Sequence, residues 1–473
     1  MAPVQPLSES RPLPFSIKLL YGLGEVPITV LMFLSGIFLL FFYKSVMGLP
    51  PALAGLGISA SLVLDAVLDP FIGHLSDRTR HPLGRRHSFM LPGALAMGIC
   101  FFLLFSPPQG LSPPLLFLWL LVCSISVRFT SAVYRIPYLG LGAEISRDYD
   151  DRTSTMAIRA LFGLLGALAA AGLSFRLFFP AAADRLHYPG YPRLGMAFGA
   201  LMSAAGLSSF LGTLSQRTPR APVAVTPPHF FSGFWISMRN PAFRKIWISS
   251  TVFFLAVTLN FSMAIDYFTW YARISGGGII SSLWTFFGAG ALAGVLLWMA
   301  LARRSEKRTL YLAGMAATAL VLVGAYVFVG DGRLFGTGRA LPLLIGHVLA
   351  GIFASVVWVL PPSMVADVTD TDELSTGLRR EGIYYGILNL GEKIAAGGGL
   401  LLAGILLTVF RKFSHGLVPG GPPLDIPYVG ILYGPVPAVL ILISLVFLLS
   451  YRLDRRAAHG VQQQLAARTG GTV

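Results

Sequence analysis

Apolar stretches recur along the chain at about 18–43, 52–76, 88–106, 114–145, 153–180, 193–216, 244–273, 279–302, 309–330, 340–366, 381–410 and 428–451, bounded by proline, glycine or charge. An α-helix needs about 20 apolar residues to cross a bilayer, so the pattern predicts twelve transmembrane helices. Between the sixth and seventh stretches, Ser215 to Asn240 carries Pro219, Pro222, Pro227 and Pro228 and no apolar run, which reads as a linker. The expected organisation is an N-terminal segment 1–17, a first six-helix bundle 18–216, a linker 217–243, a second bundle 244–451 and a tail 452–473. The basic turn Asp77-Arg78-Thr79-Arg80-His81-Pro82-Leu83-Gly84-Arg85-Arg86 after the second stretch has a weaker echo, Arg303-Arg304-Ser305-Glu306-Lys307-Arg308, after the eighth. Paired six-helix halves with sites near the midplane are a transporter architecture.

Composition narrows the class. The apolar set makes up 55% of 473 residues and charged residues 12%, about half the usual quarter. That is too little polar surface for a soluble enzyme, a fibrous chain or a disordered scaffold, and it points to an all-α integral membrane protein. The net charge of +15 needs no nucleic-acid partner, because the cations follow the predicted topology. With the N-terminus in the cytoplasm, most arginines and lysines fall on the inner side and only a few, Lys44 and Arg185 among them, outside. The positive-inside rule then places both termini in the cytoplasm. Cys100 and Cys123 lie inside apolar runs, without disulfide or zinc spacing. Residues before the first stretch show no small-residue cleavage site, so the first helix is expected to be retained. No Walker A sequence is present, which argues against direct use of ATP. Arginine far outnumbers lysine, a bias that suggests a bacterial inner membrane.

Ionisable groups inside the stretches are costly at bilayer depth and mark functional sites. Asp65 and Asp69 are spaced i, i+4, which puts both carboxylates on one helix face within about 6 Å. They repel unless a proton, a metal cation or a basic side chain lies between them. Na⁺ or H⁺ fits that requirement, and a salt bridge to Arg135 or Arg159 is the structural alternative. Arg128 and Arg135 share a face of the fourth helix, Arg159 lies on the fifth, and Lys393 on the eleventh is its pseudo-repeat counterpart, 393 − 159 = 234 positions on. Arg159 and Lys393 lead the candidates for a solute site. Glu25 sits beside Gly24 and Pro27, where a kinked first helix can expose a polar group. Asn260 and the aromatics Tyr267, Trp270, Trp358, Tyr384 and Tyr385 could stack on and hydrogen-bond an organic solute. No metal-ligand cluster and no Ser/His/Asp set suggests an enzyme.

The run Asp65-Ala66-Val67-Leu68-Asp69-Pro70 with Gly73 and the Asp77–Arg86 turn resembles the glycoside-pentoside-hexuronide:cation symporters of the major facilitator superfamily. Tyr21-Gly22-Leu23-Gly24, Ile136-Pro137-Tyr138, Trp358-Val359-Leu360, Met364-Val365-Ala366-Asp367, Arg379-Arg380-Glu381-Gly382-Ile383-Tyr384 and Lys393 extend the likeness over the whole chain. The resemblance implies the major facilitator fold and solute:cation symport by alternating access in a cell membrane. It implies that Asp65 and Asp69 hold the coupling cation, with Arg159, Lys393 and Trp358 at or beside the solute. Asp77, Arg78, Arg85 and Arg86 would serve as cytoplasmic gate contacts. Where melibiose permeases carry a sugar-binding aspartate this chain has Arg135, and Thr29 replaces the first-helix aspartate. Ala132 and Leu68 replace two further polar positions near the cation. The expected solute is therefore a glycoside, a uronide or another anion, since arginine forks onto carboxylate and phosphate. Expected partners are the solute, the coupling cation and the bilayer, with no organic cofactor and a monomeric working unit. A lysolipid or zwitterionic solute, and a non-transporting receptor or assembly factor on the same scaffold, are the alternatives.

Overall fold

The computed structural model describes residues 13–145, 149–216, 230–378, 380–413, 425–451, 453 and 455–468, and among them helix is present and strand is not. Twelve helical spans among these residues are long and apolar enough to cross a membrane: Phe15–Val46, Pro51–Arg78, His87–Leu104, Pro113–Gly142, Ser154–Phe178, Gly190–Gln216, Pro241–Ser262, Gly277–Ala302, Lys307–Val327, Ala340–Thr376, Glu381–Arg411 and Ile426–Leu449. The predicted number and order hold.

The first span is interrupted where its sequence suggests. Helix runs over Phe15–Leu23 and restarts at Val26–Leu34. The amides of Gly24 and Glu25 bond back to Tyr21 and Gly22 at 3.0 Å each, the tight i→i+3 pattern of a closing turn. Pro27 falls in the first turn of the new segment, where its missing N–H has no intrahelical partner to lose. A Cβ at Gly24 would lie 2.5 Å from the Tyr138 ring and 2.7 Å from the Tyr134 hydroxyl, so only glycine lets the break sit against the fourth span. Two π-helical turns, Ser35–Leu39 and Phe42–Val46, complete the span.

The tenth span continues beyond its expected end near residue 366, through Asp367, Asp370, Asp372 and Glu373 to Thr376. Charge alone marks the end of an apolar run, yet the helix is extended here by partners. Lys307 Nζ meets Asp367 Oδ2 at 2.5 Å and Arg380 Nη2 meets Asp372 Oδ1 at 2.7 Å. Gly377, at φ 71°, then closes it in the left-handed conformation. The seventh span starts at Pro241 because Asn240 Oδ1 accepts the amides of Ala242 and Phe243, at 3.0 and 3.2 Å, as an N-cap. Of the linker expected at 217–243, residues 217–229 lie outside the described set, as does Arg379 of the Arg379–Tyr384 motif. Phe230–Arg239 is a short helix, and Arg455–Arg468 forms another in the tail.

The chain forms two compact units. One contains the described residues before Gly36, Leu64–Ser174 and those of Tyr188–Val225. The other contains Gly36–Val63, Phe175–His187 and the described residues from Phe230 onward. The units therefore depart from the sequence halves: ends of the first, second and fifth spans belong with the second half. Polar bonds account for this. Ser59 Oγ donates to the Gly397 carbonyl at 2.6 Å, the Gly277 amide to that of Pro180 at 2.7 Å, and Arg185 to Thr269 Oγ1 and the Ile274 carbonyl at 2.9 and 3.0 Å. Within the second unit Gly290 and Gly294 bring the eighth and tenth spans close; a Cβ on either would lie 2.3 Å from a carbonyl oxygen, of Val348 or Ile352.

Candidate functional site

In the first unit the aspartate pair is already occupied by a side chain. Arg135 Nη2 donates to Asp69 Oδ1 and Oδ2 at 2.8 and 2.7 Å and lies 3.5 Å from Asp65 Oδ2. Asp65 is buried, with 6% of its surface exposed. Of the three ways to relieve two carboxylates spaced i, i+4, the fold uses the basic side chain. Arg128 on the same helix adds its positive field at Asp65. Two carboxylates and two guanidinium groups therefore lie close together in this part of the first unit.

The second charged element is looser. Arg159 Nε stands 3.5 Å from Glu25 Oε2, with 30% and 18% of the two side chains exposed. Glu25 Oε2 is buried and accepts no hydrogen bond. Its wall is aromatic: Tyr21 stacks on Tyr138 at 4.7 Å between centroids and Tyr138 on Tyr134 at 5.6 Å. The Tyr138 hydroxyl donates to the Tyr21 carbonyl at 3.1 Å and that of Tyr134 to the Gly24 carbonyl at 3.2 Å. The Tyr21–Gly24 and Ile136–Tyr138 motifs thus meet, and together they fix the turn that presents Glu25.

At the end of the second span Arg86 Nη2 pairs with Asp77 Oδ1 at 2.6 Å and Nη1 donates to Ser76 Oγ at 3.2 Å. Arg85 is buried and Arg78 exposed. The candidates of the second unit are more dispersed. Lys393 is half-buried and the Trp358 side chain is 52% exposed. Trp270 lies in a π-helical turn, Tyr267–Tyr271, with its Nε1 buried and bonded to no acceptor among the described residues. Asn260 Nδ2 is taken up by the Tyr433 carbonyl at 2.7 Å, just before the break at Gly434 in the last span. Tyr384 packs edge-on against Phe243 at 4.9 Å and lines a cavity with Asn240, Asp372 and Arg380. Nine residues separate it from Lys393, about 13 Å along a helix axis.

One buried pair escaped the reading of the sequence. Lys44 Nζ meets Asp266 Oδ2 at 2.5 Å, with 1% and 0% of the side chains exposed. Lys44, counted above among cations of the outer side, is in fact sealed inside the second unit. The available signal was Asp266, an isolated carboxylate in an apolar stretch that demands a partner.

The MFS/sugar transport protein family matches residues 20–455. The chain belongs to this major facilitator family. The transporter is 27% identical to an uncharacterized symporter of Synechocystis sp., over 98% of each chain. It is also 27% identical to the putative glycoside/cation symporter YagG of Escherichia coli, over 95% of this chain and 94% of that one. Among solved structures, a bacterial homologue of the human lysosomal transporter Spinster, inward-facing and unoccupied, superposes with a TM-score of 0.65 over 96% of both chains at 15% identity, a likeness of fold. Fold, family and the twelve spans make this a multi-pass membrane transporter rather than an enzyme.

Proposed function

We propose that the transporter is a cation-coupled symporter of a small organic anion of the glycoside or uronide class, working by alternating access as a monomer in the cell membrane. One observation carries the anion: Asp69 claims Arg135 at hydrogen-bonding distance, whereas Arg159 keeps 30% of its side chain exposed and reaches Glu25 only at 3.5 Å. A guanidinium held so loosely retains donors for a carboxylate or phosphate. The glycoside/cation symporter among its relatives supports the solute class. In the second unit taken by itself, Lys393, Trp358 and Trp270 are the candidate solute contacts. Asn260, whose Nδ2 donates to the Tyr433 carbonyl, and Tyr384, packed on Phe243, each also line a cavity of the second unit and are candidate contacts there. Asp77, Arg78, Arg85 and Arg86 form a gate turn braced by the Asp77–Arg86 pair. Between the two coupling ions, H⁺ is favoured over Na⁺, because Na⁺ at Asp65 and Asp69 must first displace Arg135.

Thermal stability of the purified transporter tests this reading. A ligand that binds only the folded state stabilises it by about 2.7 kcal/mol at a hundred times its Kd. Methyl β-D-glucuronide is expected to raise the melting temperature in wild type and to leave Arg159→Gln unchanged. Equal stabilisation by methyl β-D-glucoside would overturn the anion assignment.

A further inference from the structure

Resting on that reading of Arg159, we propose that Glu25 is the proton-binding carboxylate of the transport cycle, and that its protonation releases Arg159 to bind the anionic group of the solute. The two carboxylate elements of the first unit differ in what already occupies their oxygens. Both oxygens of Asp69 accept from Arg135 at 2.7–2.8 Å, so a proton arriving there competes with a tethered cation. Glu25 Oε2 accepts nothing among the described residues, and its nearest charged neighbour is Arg159 at 3.5 Å. Glu25 also sits at the helix break, after Gly24 and before Val26, so its side chain can turn without unwinding a regular helix.

The groups that face Glu25 come from four spans. Its own span supplies Tyr21, the fourth supplies Tyr134, Tyr138 and the more distant Arg135, the fifth Arg159, and the sixth Ser209, which touches the Gly24 position. The Tyr134 and Tyr138 hydroxyls donate to backbone carbonyls, and Tyr138 also lies within hydrogen-bonding reach of Glu25. Arg159 is the cation nearest Glu25, and its position is the one that the proton decides. On the fifth span Gly163 opposes Glu25 directly, a Cβ there falling 3.1 Å from Glu25 Cγ, so the glycine lets the span that carries Arg159 pack close to it.

The exchange balances. In the empty site the carboxylate and the guanidinium cancel. A proton added to Glu25 Oε2 removes one negative charge, and the anion that then accepts from the Arg159 N–H groups restores it. Loss of the solute returns Arg159 to Glu25, which gives up its proton. Proton and anion thus promote each other's binding by the same factor, and transport of a monoanion moves no net charge.

Infrared difference spectra of the reconstituted transporter between mildly acidic and mildly alkaline buffer test the assignment without any solute. The expected result is a protonated-carboxyl C=O band that is lost in Glu25→Gln, shifted in Glu25→Asp and kept in Asp65→Asn and Asp69→Asn. A band that Glu25→Gln leaves undiminished, or no band in wild type, overturns the proposal. Added methyl β-D-glucuronide should enlarge the band in wild type. A Glu25 band that ignores this probe faults the solute class proposed above and leaves the proton assignment standing.

Discussion

Lys44–Asp266 in one unit and Arg159–Glu25 in the other each join one cation to one carboxylate, and they differ in what surrounds the charge. The first pair is closed at 2.5 Å with both side chains sealed. Each ion has given up its hydration and only its partner compensates, so neither can be exchanged without leaving a bare charge. The second stands at 3.5 Å with both side chains partly exposed; a buried oxygen without a hydrogen-bond partner is common to both pairs, on Asp266 and on Glu25. On the reading proposed above, its members trade each other for a proton and a solute anion. The same pairing of one cation with one carboxylate then gives a fastener where the pair is dry and, as proposed, a carrier site where it is loose. Asp65, Asp69 and Arg135 fall between, well bonded but one-fifth exposed at the arginine.

The largest way to break this comparison is at the fastener. Asp266→Asn leaves the Lys44 ammonium buried beside a neutral amide, and the loss of one partner of such a pair costs about 3–5 kcal/mol. Thermal unfolding should show it, and the double replacement Lys44→Met with Asp266→Leu should recover most of the loss. A double variant as unstable as the single one would mean that the pair is not what holds these segments. Next comes the aspartate cluster. Arg135→Gln removes the tethered cation and leaves two carboxylates facing each other, so NaCl should stabilise this variant relative to choline chloride, by about 2.7 kcal/mol once Na⁺ exceeds its Kd a hundredfold. Wild type should not discriminate between the salts; selective Na⁺ stabilisation of wild type would make the aspartates the coupling site after all.

The smallest effect lies outside the membrane. The Lys18 ammonium, at 2.6 Å, and then the Leu13 amide, at 2.7 Å, hold the Asp151 carboxyl below the usual carboxylate range. A depressed value in the folded state means stability that is present above the unfolded carboxylate pKa of about 3.9 and is lost as pH falls towards the folded value. Stability scanned downward in pH should therefore drop below about pH 4, and less so in Asp151→Asn. An identical acid limb in both proteins would remove this contact from the account.

Much of the scaffold was legible in the chain because its signals are local. Span number follows from apolar run length, the break at Gly24–Glu25 from a glycine and a proline three residues apart, 27 − 24 = 3, and the shared face of Asp65 and Asp69 from helical spacing. The partners were less legible, since they are set by packing between residues far apart in sequence. Lys44 and Asp266 are 222 positions apart, and no periodicity announces their meeting. The tenth span outruns its apolar stretch because Lys307 and Arg380 neutralise aspartates that the pattern could only read as an end. Asn260 stands out as a polar residue in an apolar stretch, but nothing in the sequence announces that its amide donates to a backbone carbonyl freed at a helix break 173 positions away.

Uptake of labelled methyl β-D-glucuronide into proteoliposomes, driven in turn by an inward proton gradient and an inward Na⁺ gradient, is the most direct test of the central claim that Arg159 binds an anion carried with a proton. Accumulation is expected under the proton gradient, none under the Na⁺ gradient alone, and loss of accumulation in Arg159→Gln. Accumulation driven by Na⁺ but not by protons, or undiminished in Arg159→Gln, would contradict it.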